Sequence, residues 1–184
     1  MFARTERLLL RPGWIDDAPA LASCIGDEAI LTKLAQAPSP YRLEDAEGWL
    51  SQPRDGVETD FLMFARTAGA PRLVGGVGLM QDGDDYELGY WVARPWWGLG
   101  YATEAARAVV SMARSSLKLS RLVSGHFVDN PASGNVLRKL GFRPTGQIVP
   151  RESRARRAVV ACKLYALDLA DSGADARMPQ ALAA

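Results

Sequence analysis

Two kinds of apolar pattern share this chain: short runs of strand length, and stretches that repeat every three or four residues. Residues 7–11 enclose Leu8-Leu9-Leu10 and predict a first strand, stopped by Pro12-Gly13. Asp16 and Asp17 stand where they can cap a helix carrying Leu21 and Ile25. A second helical stretch covers residues 27–34, Pro38-Ser39-Pro40 breaks the chain, and residues 44–50 are helical again. Residues 61–66 and 72–80 are apolar runs joined by Ala68-Gly69-Ala70-Pro71, which predicts a hairpin. Asp82-Gly83-Asp84 makes a turn before a third run, residues 86–92.

The strongest periodicity follows. Ala102, Ala105, Ala106, Val109, Val110 and Ala113 fall on one helical face, and their small size lets that helix lie close to a sheet. Residues 121–127 predict the next strand. Asn130 suits an N-cap, Pro131 the N1 position, Val136, Leu137 and Leu140 a buried stripe, and Gly141 the C′ residue. Residues 142–149 and 158–167 are the final strands. Hairpins in the middle and strand–helix–strand units later predict a mixed sheet in an α+β (α/β) domain. No repeat or linker divides it, so residues 1–169 form one domain. The tail, residues 170–184, is short of large apolar residues and is expected to be frayed or disordered.

Composition narrows the class. A chain of 184 residues, 48% hydrophobic and 23% charged, suits one globular domain. A net charge of +1 gives no global attraction to nucleic acid or membrane. The charged N-terminus has no apolar core of a signal peptide, and no run approaches the roughly 18 apolar residues of a membrane span, so a soluble, cytoplasmic protein is expected. Cys24 and Cys162 fit no ligand or redox spacing and read as buried thiols. With one histidine, His126, and no Gly-x-Ser-x-Gly, neither a hydrolase triad nor a metal site has support.

The chemistry starts at Trp97-Gly98-Leu99-Gly100-Tyr101-Ala102-Thr103-Glu104-Ala105. Two glycines at the mouth of the periodic helix leave main-chain N–H groups bare, with the helix dipole behind them, and that predicts an anion site for a phosphate-bearing ligand. The loop lacks the Lys-Ser/Thr of a P-loop and the third glycine of a dinucleotide fingerprint.

Together with Glu87-Leu88-Gly89-Tyr90-Trp91, Asn130-Pro131-Ala132-Ser133 and Lys139-Leu140-Gly141-Phe142, this loop resembles the GNAT acyltransferase superfamily. Thr5-Glu6-Arg7-Leu8-Leu9-Leu10-Arg11-Pro12 and Pro38-Ser39-Pro40-Tyr41 resemble its ribosomal-protein N-acetyltransferase (RimJ/RimL-like) branch. The resemblance spans about residues 5–169. It implies acetyl-CoA as donor and a primary amine as acceptor. It implies a GNAT-like fold: a mixed, mostly antiparallel sheet of six to seven strands, flanked by helices and splayed after residues 87–92, with the pantetheine arm in the gap. The pyrophosphate would sit on the amides around Gly98, Gly100, Tyr101 and Ala102, with Leu99 and Thr103 in the same turn. Trp97 replaces the Gln/Arg that opens the family pattern, as is usual in the ribosomal-protein branch, so the loop amides must do more.

Acetyl transfer needs a neutral amine, a polarised thioester carbonyl and a leaving thiolate. An α-amine has a pKa near 8 and lysine one near 10.4, so an N-terminal amine needs less help. By resemblance, Glu87 is the first candidate general base, directly or through water, and otherwise a strand carboxylate or ion-pair partner. Glu152, in the loop after Gly146, is its rival, and otherwise a surface charge. The helix tyrosine that many members use matches Leu137 here, so Ser133 inherits its role as acid or hydrogen-bond donor to the departing sulfur, or else only stabilises the helix start. Asn130 would bond the pantetheine arm while capping. A main-chain N–H near Trp91 or Val92 would hold the thioester carbonyl. Trp14, Tyr41 and Trp49 line the acceptor pocket or belong to the core. Arg151, Arg154, Arg156 and Arg157 form either a solvated loop or an attractor for an acidic acceptor or the CoA 3′-phosphate.

The expected activity is direct acetyl transfer in a ternary complex to a protein N-terminal amine, with no metal, no nucleic acid and no membrane, by a monomer or homodimer. A small amine (amino acid, polyamine or antibiotic) is the alternative acceptor. A non-catalytic acyl-CoA-binding regulatory module is the alternative of another class.

Overall fold

The computed structural model describes residues 1–53, 59–66 and 69–170. Strands β1 (Ala3–Arg4) and β2 (Leu8–Pro12) open the chain, and a 3₁₀ turn, Ile15–Asp17, leads into helices α1 (Ala18–Ile25), α2 (Glu28–Leu31) and α3 (Leu43–Leu50). Three strands follow, β3 (Thr59–Ala65), β4 (Arg72–Asp82) and β5 (Asp85–Val92). A second 3₁₀ turn, Arg94–Trp96, precedes α4 (Tyr101–Ser115), β6 (Arg121–Phe127), α5 (Pro131–Lys139), β7 (Arg143–Ser153) and β8 (Ala158–Asp168). The strands form one sheet in the order β1-β2-β3-β4-β5-β6-β8-β7. Every pairing is antiparallel except β5 with β6.

The sheet is buried on both faces in its middle. In β3, Phe61, Met63 and Ala65 enter one core cluster while Leu62 and Phe64 enter the other. That is the period of two that splits a wholly apolar strand between two layers. One layer is α4, whose Ala105, Ala106, Val109, Val110 and Ala113 are buried against Leu8, Leu10, Val77, Leu79 and Leu88. The other is α1 with α3, whose Leu21, Ile25, Ala46 and Leu50 pack with Leu62, Phe64 and Leu73. Each fully buried leucine contributes about 1.5–3 kcal/mol, so these layers fix the sheet from β2 to β5.

Most predicted elements occur as expected, and the departures have local causes. The sheet has eight strands rather than six or seven, because Ala3 and Arg4 pair with Leu10 and Leu9 in a strand too short to show a period. The second helix covers only Glu28–Leu31, with the Asp27 carboxylate accepting from the Ala29 N–H at 2.9 Å. Asp17 is not a side-chain cap: both its oxygens accept from Arg11 at 2.7 Å, and one also takes the Trp14 N–H at 2.8 Å. Gly141 has φ +92° and ends α5 as a C′ residue, as expected. Residue 68 of the β3–β4 connection and the tail from residue 171 lie outside the described residues.

Helix α5 lies on β6 at a distance set by Gly134. A methyl group there would sit 2.6 Å from Nε2 of the buried His126. Gly134→Ala is therefore expected to destabilise the fold by about 1–3 kcal/mol through overpacking. Urea unfolding checks this; an unchanged midpoint means that helix and strand are free to move apart.

Candidate active site

The sheet parts in its middle. Strands β5 and β6 pair only at Glu87 and Val123, so beyond Glu87 the two strands diverge and a gap opens. Main-chain groups alternate sides along a strand. The Leu88 carbonyl accepts from Ser124 Oγ of β6 at 2.8 Å, and the Val92 carbonyl accepts from Trp97 Nε1 at 2.6 Å. The Ala93 N–H instead donates to Val74 of β4 at 2.8 Å. Leu88, Tyr90 and Val92 thus turn their main chain to the gap, while Gly89 and Trp91 turn theirs to β4. Of the two residues expected to offer an N–H, Val92 faces the gap and Trp91 does not; Tyr90 takes its place.

The glycine loop stands at the wide end of the gap. Gly98 and Gly100 have φ +77° and +83°, a conformation that other residues adopt only under strain. Gly100 is the N-cap of α4, and no side chain caps that helix start, so the amides of Tyr101, Ala102 and Thr103 point outward. Trp97 gives its one donor to Val92 and ties the loop to β5. Leu99 is held from the far end of the chain: Arg7 donates to its carbonyl at 2.9 Å and lies over the Tyr101 ring at 4.7 Å. Arg7 is in turn gripped by Glu104, which accepts from the Arg7 N–H at 2.8 Å, Arg7 Nε at 2.7 Å and Thr5 Oγ1 at 2.6 Å. Burial alone would push the Glu104 carboxyl up, but these bonds outweigh it and hold the group below the ordinary glutamate value. A cleft of about 340 Å³ lies beside the helix start, lined by Glu6, Arg7, Gly100, Thr103, Glu104, Arg107 and Lys139.

On the sheet face opposite α4, Glu87 projects beside the vertex of the gap. Arg151 NH1 of β7 donates to its Oε1 at 2.5 Å, and the Glu87 side chain is only 16% exposed. Burial alone would lower the Arg151 guanidinium, but the Glu87 carboxylate outweighs it and raises it. The pair borders a second cleft of about 290 Å³, with Asp82, Thr145, Gln147 and Leu164 among its walls. Glu152 lies in β7 rather than in a loop. It is exposed and projects to the side away from Arg151, so the structure does not bring it to Glu87. Arg154 and Arg156 of the segment are structural. Arg156 holds Asp129 at 2.7 and 3.0 Å and the Thr32 carbonyl at 2.6 Å, and Arg154 reaches the Gln36 carbonyl at 3.2 Å.

Ser133 sits in the first turn of α5, across the gap from β5. The Tyr90 hydroxyl lies 2.8 Å from its Oγ and 2.9 Å from its carbonyl oxygen. Burial pushes the Tyr90 phenol up to about 12. Asn130 is the N-cap by position but makes no side-chain cap bond. Leu137, where a helix tyrosine was sought, is fully buried. His126 is core: its Nδ1 bonds the Phe127 carbonyl at 2.8 Å and its ring lies 5.5 Å from that of Tyr165. Tyr41 and Trp49 pack on the α1–α3 cluster, and the half-exposed Trp14 covers the Arg11 guanidinium at 4.0 Å.

A sheet split between parallel strands, an uncapped helix start at one end of the split and a carboxylate at its vertex fit the architecture of an acyl-group transferase. Residues 7–143 match the family model of the acetyltransferase (GNAT) domain, and the chain belongs to that family. It is an acetyl-CoA-dependent N-acetyltransferase. An uncharacterized N-acetyltransferase, YoaA of Bacillus subtilis, is 30% identical over 154 residues, covering 77% of this chain and 82% of the relative. A GNAT-family acetyltransferase from Bacillus anthracis superposes with a TM-score of 0.79 at 23% identity, over 92% of this chain and 99% of that one. RimL, a ribosomal L7/L12 alpha-N-protein acetyltransferase solved with coenzyme A, superposes at 0.76 with 18% identity, over 91% and 98%. Among the described residues no helix is long and apolar enough to cross a membrane, and no group of three His, Cys, Asp or Glu could hold a metal ion.

Sequence reasoning missed Arg7, Arg107, Lys139 and the placement of Arg151 on Glu87. Arg107 lies one turn along α4 from Thr103 and Glu104, whereas Arg7, Lys139 and Arg151 reach their places only through the tertiary fold and carry no local signal. Replacing Glu104 by Gln is expected to cost roughly 1.5–3 kcal/mol at neutral pH, the scale of charged hydrogen bonds. Because the folded carboxyl is held low, its contribution is fully present above about pH 4.3 and is lost as pH falls through the depressed value. Urea titrations from pH 7 to pH 3 should show the gap between wild type and variant closing with acid; a constant gap contradicts the assignment.

Proposed function

We propose that this enzyme acetylates the N-terminal amine of a protein in the cytoplasm, by direct transfer within a ternary complex. The observation that carries the reading is the position of Glu87, at the vertex of the gap and on the wall of the open cleft under β7. In this reading the donor's pyrophosphate rests on the amides around Gly98, Gly100, Tyr101 and Ala102. Arg107 and Lys139 supply positive charge to the cleft beside them, where the donor's remaining phosphate fits. The pantetheine arm passes Asn130 into the gap, and the main-chain N–H of Tyr90 or Val92 polarises the thioester carbonyl.

The acceptor amine enters from the β7 side. Arg151 and Arg121 offset Glu87 and Asp85 on that cleft's walls, and Asp82 leaves it one negative charge in excess, the sign that draws an ammonium group. Glutamate is a weak base, so it suits an amine that already has a substantial neutral fraction. An α-amine with a pKa near 8 meets that condition far better than a lysine near 10.4. The amine attacks the carbonyl carbon, Glu87 accepts its proton directly or through water, the C–N bond forms and the C–S bond breaks. The likeness to RimL supports the same acceptor class.

The cleft's size, about 290 Å³, favours a second reading in which the acceptor is a small amine such as an amino acid, polyamine or antibiotic. An acceptor screen separates the two. Turnover of peptides with a free N-terminus, and not of the same peptides with that amine blocked, is the expected result. Turnover of free small amines alone overturns it. With the acceptor in hand, Glu87→Gln should lower kcat about 10²–10⁴-fold, the range for a lost general base, at constant acetyl-CoA affinity. An unchanged kcat removes Glu87 from the mechanism.

A further inference from the structure

Beyond Glu87 two side-chain bonds tie the walls of the gap. Ser124 reaches the Leu88 carbonyl from β6, and Tyr90 reaches Ser133 from β5. The second of these joins two hydroxyls at the place where α5 overhangs the gap. Building on the acetyl-transfer reading above, we infer that Tyr90 and Ser133 act as one unit: Tyr90 is a positioning residue that aims the Ser133 O–H at the sulfur of the departing thiolate.

The bond count decides how the unit works. The phenol has one hydrogen and two candidate acceptors, the Ser133 carbonyl oxygen at 2.9 Å and Ser133 Oγ at 2.8 Å. A carbonyl only accepts. When the phenol donates to the carbonyl, its oxygen is free to take the Ser133 hydrogen, and the serine then has nothing to offer the gap. When the phenol donates to Oγ, the Ser133 hydrogen is released to point into the gap. Negative charge growing on sulfur favours the second arrangement, and each hydroxyl then polarises the next. The serine alone lacks this bias, because a first-turn helical hydroxyl has several local acceptors.

The same chemistry limits the role to a hydrogen bond. The Tyr90 phenol, pushed up to about 12 by burial, is a much weaker acid than a thiol at roughly 8.5. The proton therefore stays on oxygen. The C–S bond breaks to give a thiolate held by Ser133 O–H, and that thiolate takes its proton from solvent as it leaves. The proton lost by the amine goes separately to Glu87. Two neutral hydroxyls in series thus do the work of the helix tyrosine that Leu137 replaces.

Tyr90→Phe keeps the ring in its packing and removes only the hydroxyl. It is expected to lower kcat about tenfold, with the KM for acetyl-CoA and the dissociation constant for CoA within twofold of wild type. Ser133→Ala should give a similar loss, Ser133→Thr should restore most of it, and the Tyr90→Phe/Ser133→Ala double variant should be no slower than the worse single variant. The alkaline limb of the kcat–pH profile should stay where it is in all of them, since no hydroxyl loses its proton. A wild-type kcat in Tyr90→Phe, losses that multiply in the double variant, or a raised KM and lowered Tm with intact kcat would each overturn the unit and leave the acetyl-transfer reading standing. A wild-type enzyme that binds CoA yet acetylates no amine overturns both.

Discussion

The parting of β5 from β6 is the constraint on which the rest of the structure depends. A sheet interior satisfies its main-chain groups by pairing, and an unpaired buried N–H or C=O costs about as much as a lost hydrogen bond. Beyond Glu87 and Val123 this sheet gives up that pairing. Side chains replace it in part: Ser124 answers Leu88, Trp97 answers Val92, and Tyr90 bridges to α5. What is left is a slot with N–H groups turned inward, and a substrate carrying amide and carbonyl groups can fill it. An interrupted sheet of this kind offers a ligand the main-chain groups that a neighbouring strand would have taken.

The glycine loop at the head of the slot cannot hold itself. Two residues with positive φ give the main chain the shape an anion needs, and glycine gains that shape at a cost in conformational entropy. The stiffness comes from the start of the chain. Thr5 and Arg7 converge on Glu104, and Arg7 passes the constraint to the Leu99 carbonyl. The turn between β1 and β2, at the edge of the sheet, therefore sets the loop before α4, through a carboxylate one helical turn inside that helix. Trp97 follows the same logic. Where the family pattern has a polar residue, this chain has an indole that fastens the loop to β5.

The β7–β8 hairpin supplies the other wall. The arginines near its tip look alike in sequence, yet they separate by whether they fall in β7 or in the turn that follows it. Arg151 turns inward to Glu87, Glu152 turns away, and Arg154 and Arg156 bind carbonyls and a carboxylate of the segments around α2 and β6. One residue of register would exchange Arg151 with Glu152 and place two glutamates together at the vertex. The ladder that prevents this runs through Val149 with Cys162 and Arg151 with Val160.

Much of this protein is legible in its sequence because the governing interactions are local. The period of α4, the turn at Asp82-Gly83-Asp84, the glycines before Tyr101 and the stop at Gly141 each act within a few residues of themselves, so they survive as pattern. The split sheet and the places of Glu87 and Ser133 were implied by the likeness of these motifs to a known family, not by the pattern itself. The brief strand β1 escaped because two residues have no period, while Asp17 and Asn130 stand at the N-cap positions of α1 and α5 without making a side-chain cap bond to those helices. Arg7 on Glu104, Arg151 on Glu87 and Tyr90 on Ser133 join residues 97, 64 and 43 positions apart. No spacing rule reaches that far, since such contacts are set by strand order and register, which emerge only when the whole sheet closes on its two helical layers. The sequence by itself determined the elements, the loop and the class of chemistry. The tertiary structure alone decided which charges and hydroxyls meet at the gap.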